Sequence, residues 1–214
     1  DKQIFYYRGS GNGYTNTMFW LRTGIGVMKF VHPDDTNRDE KDEYIRKKAE
    51  PAIRYAEILL IYAEALNELT GSYTVASWNG ETQYTIQRDI NEMKKGIQPI
   101  RIRAGIPDYT PAEYEDQNLF REKLKRERQI ELMGEGHRYY DIRRWKDADV
   151  EESLPIYGCN TLMTEKWKDV FHVPVAVPSL PTNFSRKMYF WPISHSELKR
   201  NKMLTQNPGW TYND

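Results

Sequence analysis

The chain has 214 residues, of which 39% are hydrophobic, and a mean hydropathy of −0.81. That length suits one sizeable domain or most of one, and no stretch approaches the run of about 18 apolar residues that a membrane helix needs. Thirty-one basic and thirty-one acidic residues cancel. Without a basic excess or stripe, no nucleic-acid partner is expected. The single cysteine, Cys159, excludes an intrachain disulfide and a cysteine-rich metal site.

The chain starts at Asp1 without Met, signal peptide or lipid-attachment cysteine, so a targeting segment is expected upstream. Residues 1–50 show no helical period; glycines alternate with aromatics, then a charged stretch follows at Asp34–Lys48. Irregular structure is expected there, with a short strand at Gly26–Val31. Asp35-Thr-Asn37-Arg-Asp39 resembles the start of a calcium loop. However, Glu40 takes the glycine position and Arg46 the final carboxylate position, so a solvated loop is the better reading.

Residues 52–69 give the clearest helix. Pro51 precedes it, Glu57, Glu64 and Glu68 form one narrow polar stripe, and Gly71 ends it. Burial on most sides is expected. A loop, Ser72–Thr82, carries Tyr73 and Trp78, and residues 84–98 read as a second, antiparallel helix that Pro99 breaks or kinks. Thr110-Pro111-Ala112-Glu113 is a capping box for a third helix, strongest over Leu119–Met133. There Phe120, Leu124, Ile130 and Met133 share one side, with Arg121, Lys123, Arg126, Glu127 and Glu131 elsewhere. His137–Lys146 gives a short fourth helix. Prolines 174, 178 and 181 interrupt the next region, and Ser194-His195-Ser196-Glu197 caps a last helix reaching about Arg200. Asn207-Pro208-Gly209 is a turn with Trp210 as its anchor. One domain is expected, and no internal repeat is visible.

The densest charged constellation is Glu127 to Trp145. Glu131 with Glu135, or Glu127 with Glu131, has the spacing of a glycosidase pair, whose carboxyls stand roughly 5–10 Å apart. Arginines and Asp141 around them favour ionised, paired carboxylates instead. His32, His137, His172 and His195 are too scattered for a helical metal pair, and no phosphate loop or nucleophile elbow occurs. No metal, cofactor or catalytic residue is therefore expected. Aromatics among Gly and Asn in loops, Tyr14, Phe19 and Trp20 with Tyr73 and Trp78, offer flat faces for ligands. Packing against other parts of the protein is the alternative.

ERQIELMGEGHRYYDIRRW at 127–145 resembles the signature of SusD/RagB proteins. Three further segments agree in order: IRYAEILLIYAEALNEL at 53–69, IRIRAGIP at 100–107 and FWPISHSELKRNKMLTQNPGW at 190–210. Gln98-Pro99 and Ser194 depart from the pattern. The resemblance implies a mainly α fold with tetratricopeptide-like helix pairs, long irregular loops and little β structure, of which this chain is the carboxy-terminal part. It implies a lipid-anchored protein on the outer face of an outer membrane. Such a protein binds glycans (or, in some members, peptides) without cleavage and partners a SusC-like TonB-dependent transporter. It also implies that Arg128, Glu131, Glu135, Arg138, Asp141 and Arg144 are structural residues that tie helices together.

Overall fold

The structure, a computed structural model, describes residues 21–32, 34–37, 43–48, 51–161, 170–177, 180 and 182–211. Among these the helices are α1 (Tyr55–Asn67), α2 (Ile90–Arg103), α3 (Pro111–Glu115), α4 (Gln117–Glu131), α5 (His137–Arg144), α6 (Ala148–Glu151) and α7 (His195–Arg200). Short antiparallel pairs join β1 (Thr36–Asn37) to β2 (Glu43–Tyr44), β3 (Tyr73–Ala76) to β4 (Gln83–Ile86), and β5 (Tyr157–Gly158) to β6 (Val175–Ala176). The expected strand at Gly26–Val31 is not formed. The chain divides into two compact units, Thr36–Tyr139 and Asp1–Asp35 with Tyr140–Asp214.

In the first unit α1 packs on α2 and α4. Contacts of Tyr62 with Glu92 in α2 and of Asn67 with Arg88 just before it pair rising numbers in α1 with falling numbers, so the two helices are antiparallel. They approach closely where small residues meet: a Cβ on Gly96 would lie 2.9 Å from the Ala63 Cβ. Leu60, Ala63 and Leu66 supply the buried stripe of α1, at helical spacing. Met93, Ile97 and Ile100 face it from α2. Tyr55, Ile58, Ile61 and Tyr62 are exposed, so only one face of α1 is covered, where the composition suggested burial on most sides.

The expected start of α2 fails, and of the two outcomes expected of Pro99 the break does not occur. The helix starts at Ile90, capped by Asp89, whose side chain accepts from the Glu92 amide at 2.9 Å. Pro99 lies inside the helix instead of ending it. Proline forfeits one backbone bond and crowds the preceding turn. The flanking residues Ile97 and Ile100 are both buried against the core, and that burial holds the helix together across the defect.

The Thr110 box closes as expected, but it caps the separate short helix α3. Asp116 then caps α4, accepting from the amides of Asn118 and Leu119. The buried face of α4 carries Phe120, Leu124, Glu127 and Arg128. Ile130 lies off this stripe and is exposed, as is Met133 beyond the helix end, which corrects the expected apolar side. Tyr109, Tyr114 and Phe120 form an aromatic cluster, with the Tyr114 and Phe120 rings 4.8 Å apart.

The second unit is more irregular. Thr23 lies against Gly158, where any Cβ would meet its backbone, and its carbonyl accepts from the Cys159 amide at 2.8 Å. Ser194 caps α7 as expected. The following turn folds back onto the segment before it. The Gln206 side chain accepts from the Ile193 amide and donates to the Ile193 carbonyl, at 2.8 and 2.9 Å. Asn207 donates to the Trp191 carbonyl, and the Trp210 indole N–H reaches the carbonyls of Lys187 and Phe190. Trp210 thus anchors the turn.

Candidate functional site

Of the five aromatics singled out as ligand contacts, Tyr14, Phe19 and Trp20 lie outside the described residues. The structure brings the other two together on one protruding hairpin. β3 and β4 pair in the register Tyr73↔Ile86, Thr74↔Thr85, Val75↔Tyr84 and Ala76↔Gln83. Opposed residues and those two apart share a face. Tyr73, Val75, Tyr84 and Ile86 therefore form an apolar face, and Thr74, Gln83 and Thr85, with Ala76, the opposite one. Tyr84 was missed in the sequence. The alternation of Tyr73-Thr-Val75 and Tyr84-Thr-Ile86 about Asn79-Gly80 is a hairpin signal that places it.

The turn that joins the strands is fixed by its own polar groups. The Gly80 amide donates to the Ser77 carbonyl at 2.9 Å, and Gly80 takes the positive φ (+74°) that the tight reversal requires. The Ser77 hydroxyl donates to Asn79 Oδ1 at 2.6 Å and accepts from the Thr82 amide at 3.0 Å. Asn79 Nδ2 in turn donates to Glu81 at 2.6 Å. Trp78 sits at the apex of this braced turn and is 98% exposed, while Tyr73 and Tyr84 are 46% and 55% exposed. At the root, the hydroxyls of Tyr73 and Thr70 lie 3.1 Å apart. Apolar rings held outward on a stiff support are what ligand stacking requires.

The carboxylates raised as a hydrolytic pair have a different setting. Glu127 is buried, not on the outer charged side expected for it. It accepts from Arg101 and from the Tyr109 hydroxyl at 2.7 Å, with the Arg101 guanidinium over the Tyr109 ring. Burial pushes the Tyr109 phenol up, and the hydrogen bond to Glu127 pushes it further. Arg54, just before α1, reaches Glu131 Oε1 at 2.9 Å and Glu135 Oε1 at 2.7 Å, and Arg103 at the end of α2 also holds Glu131. The hydrogen bond to Glu135 is the largest of the effects that raise the Arg54 pKa. Each of the three carboxylates is thus held by an arginine, and each arginine comes from another element. Arg128 is buried and Arg138 half-buried, while Arg144 Nε bonds Asp141 within α5 at 3.0 Å. Among the described residues no three His, Cys, Asp or Glu side chains cluster as metal ligands, and no helix is long and apolar enough to cross a membrane.

An antiparallel helix pair is stitched to a third helix by arginine–carboxylate bonds, with an aromatic hairpin joining α1 to α2 in a mainly helical scaffold. The SusD family profile matches residues 2–210, and the chain belongs to that family. It is 30% identical over 160 residues to SusD-like protein P2 of Formosa agariphila, which covers 74% of this chain and 25% of that relative. A crystal structure of a SusD-like protein from Bacteroides fragilis matches with a TM-score of 0.56 and 27% identity, covering 80% of this chain and 29% of that one. The solved protein BT4246 matches in fold with a TM-score of 0.69 at 24% identity, covering 96% and 32%. The chain therefore spans a quarter to a third of the length of these proteins. Members of the family are generally non-catalytic binding proteins and are typically associated with the outer membrane.

Proposed function

We propose that the chain belongs to a non-catalytic glycan-binding protein, lipid-anchored on the outer face of the outer membrane. It would pass its ligand to a SusC-like TonB-dependent transporter. The observation that carries the binding reading is Trp78, almost wholly exposed on a turn braced by side-chain hydrogen bonds. Trp78 shares its hairpin with the exposed Tyr73, Val75 and Tyr84, and grouped exposed apolar side chains mark interaction sites. The ion pairs around Glu127, Glu131 and Glu135 support a reading without bond cleavage, because a general acid needs a carboxyl that keeps its proton.

Calorimetric titration of the full-length protein with an oligosaccharide panel, followed by product analysis, tests this. Binding without products is expected, weakened about tenfold by Trp78→Ala, a loss of ~1.4 kcal/mol. Turnover that vanishes in a folded Glu131→Gln variant would replace the reading with a hydrolase. Binding of peptides alone would move the protein to the peptide-binding branch.

A further inference from the structure

The hairpin differs from the rest of the chain in charge. Of all residues, 29% are charged, yet the seventeen from Gly71 to Gln87 contain only one, Glu81. That carboxylate lies in the turn, three residues after Trp78, and accepts from Asn79. No lysine or arginine occurs anywhere in the segment. Its other polar side chains are uncharged, and those of Thr74, Gln83 and Thr85 lie on the face opposite the rings. The segment therefore provides no cation for a carboxylate or sulfate, which proteins recognise through arginine or lysine.

We infer that the Tyr73–Val75–Tyr84 face and Trp78 form a platform selective for uncharged glycans over uronic or sulfated ones. The inference rests on the glycan-binding reading above and adds the chemical class of the ligand. The rings of Tyr73, Tyr84 and Trp78 stack on the apolar C–H faces of successive sugars. Glu81 repels an anionic sugar seated on Trp78, an effect that weakens as salt screens exposed charges.

The test compares the full-length protein with a neutral panel (malto-, cello- and xylo-oligosaccharides) and an anionic one (oligogalacturonides and sulfated galactans). Both panels are run at low and high salt. Tighter binding of a neutral ligand is expected, weakened at least about fivefold by Trp78→Ala and by Tyr84→Ala. In Glu81→Gln the preference for neutral over anionic ligand should narrow by about fivefold at low salt, the size of one like-charge contact in a high-dielectric setting. Tighter anionic binding that still depends on Trp78 would overturn the selectivity while leaving the hairpin as the platform. Neutral binding that Trp78→Ala and Tyr84→Ala leave intact would overturn the hairpin site but not glycan binding. If the protein binds neither panel, the reading under Proposed function falls, and this inference falls with it.

Discussion

The hairpin and the helical core of the first unit use polar groups in opposite ways. In the core, Arg54, Arg101 and Arg103 are committed to Glu127, Glu131 and Glu135, so charge links one helix to the next. In the hairpin the polar bonds run between near neighbours, Ser77, Asn79, Glu81 and Thr82. They hold the turn and leave the rings outside. The contrast separates two tasks: a side chain that joins elements is no longer available to a ligand, and a side chain that braces only its own turn can present a neighbour to solvent.

Substitutions in the two regions should therefore part stability from binding. The largest stability effect is expected for Phe120→Ala, since Phe120 is fully buried in the aromatic cluster. A loss of about 3–5 kcal/mol should show in the urea unfolding midpoint. Arg54→Ala should cost about 1–3 kcal/mol, because its bonds to both Glu131 and Glu135 are lost in a half-buried site. A cost near zero would show that the arginine network is dispensable.

A smaller effect concerns acid. Lys123 beside Glu113, helped by the Thr110 amide and hydroxyl, lowers the Glu113 carboxyl to about 2. Because the folded value lies below the unfolded one, ionised Glu113 favours the fold above the ordinary carboxylate range. That contribution is lost as pH falls towards 2. Glu113→Gln should flatten the acid limb of the stability profile, and an NMR titration midpoint near the ordinary carboxylate value, about 4.3, would contradict the cap geometry. The smallest stability change is expected for Trp78→Ala, within about 0.5 kcal/mol of wild type. Substantial destabilisation there would mean that the ring packs on something in solution and that the contrast between the regions is false.

Much of the helical scaffold was legible because it is written locally. The polar stripe of Glu57, Glu64 and Glu68, the Thr110 and Ser194 caps and the glycines after α4 all act within a few residues. The beginning of α2 was not read correctly, although Asp89-Ile-Asn-Glu92 carries a cap signature. Ile86 continues the apolar spacing of Ile90, Met93 and Ile97, and only pairing with Tyr73–Ala76 makes residues 83–86 a strand. Pro99 misled for a related reason: burial of its neighbours against α1 outweighs its local penalty, and that partner lies far away in sequence. At the candidate site, Tyr73 and Trp78 were legible as aromatics in a loop. Their companion Tyr84 was hidden by its assignment to a helix.

The clasp made by Gln206 on both backbone groups of Ile193 closes a span of 13 residues without a covalent bond. A cross-link of this kind restricts the chain much as a disulfide does, by holding shut a loop whose opening would gain conformational entropy. With Cys159 the sole thiol in the chain, this closure cannot be undone by reductants. It responds instead to agents that compete for amide hydrogen bonds, so urea rather than dithiothreitol is the reagent expected to open it.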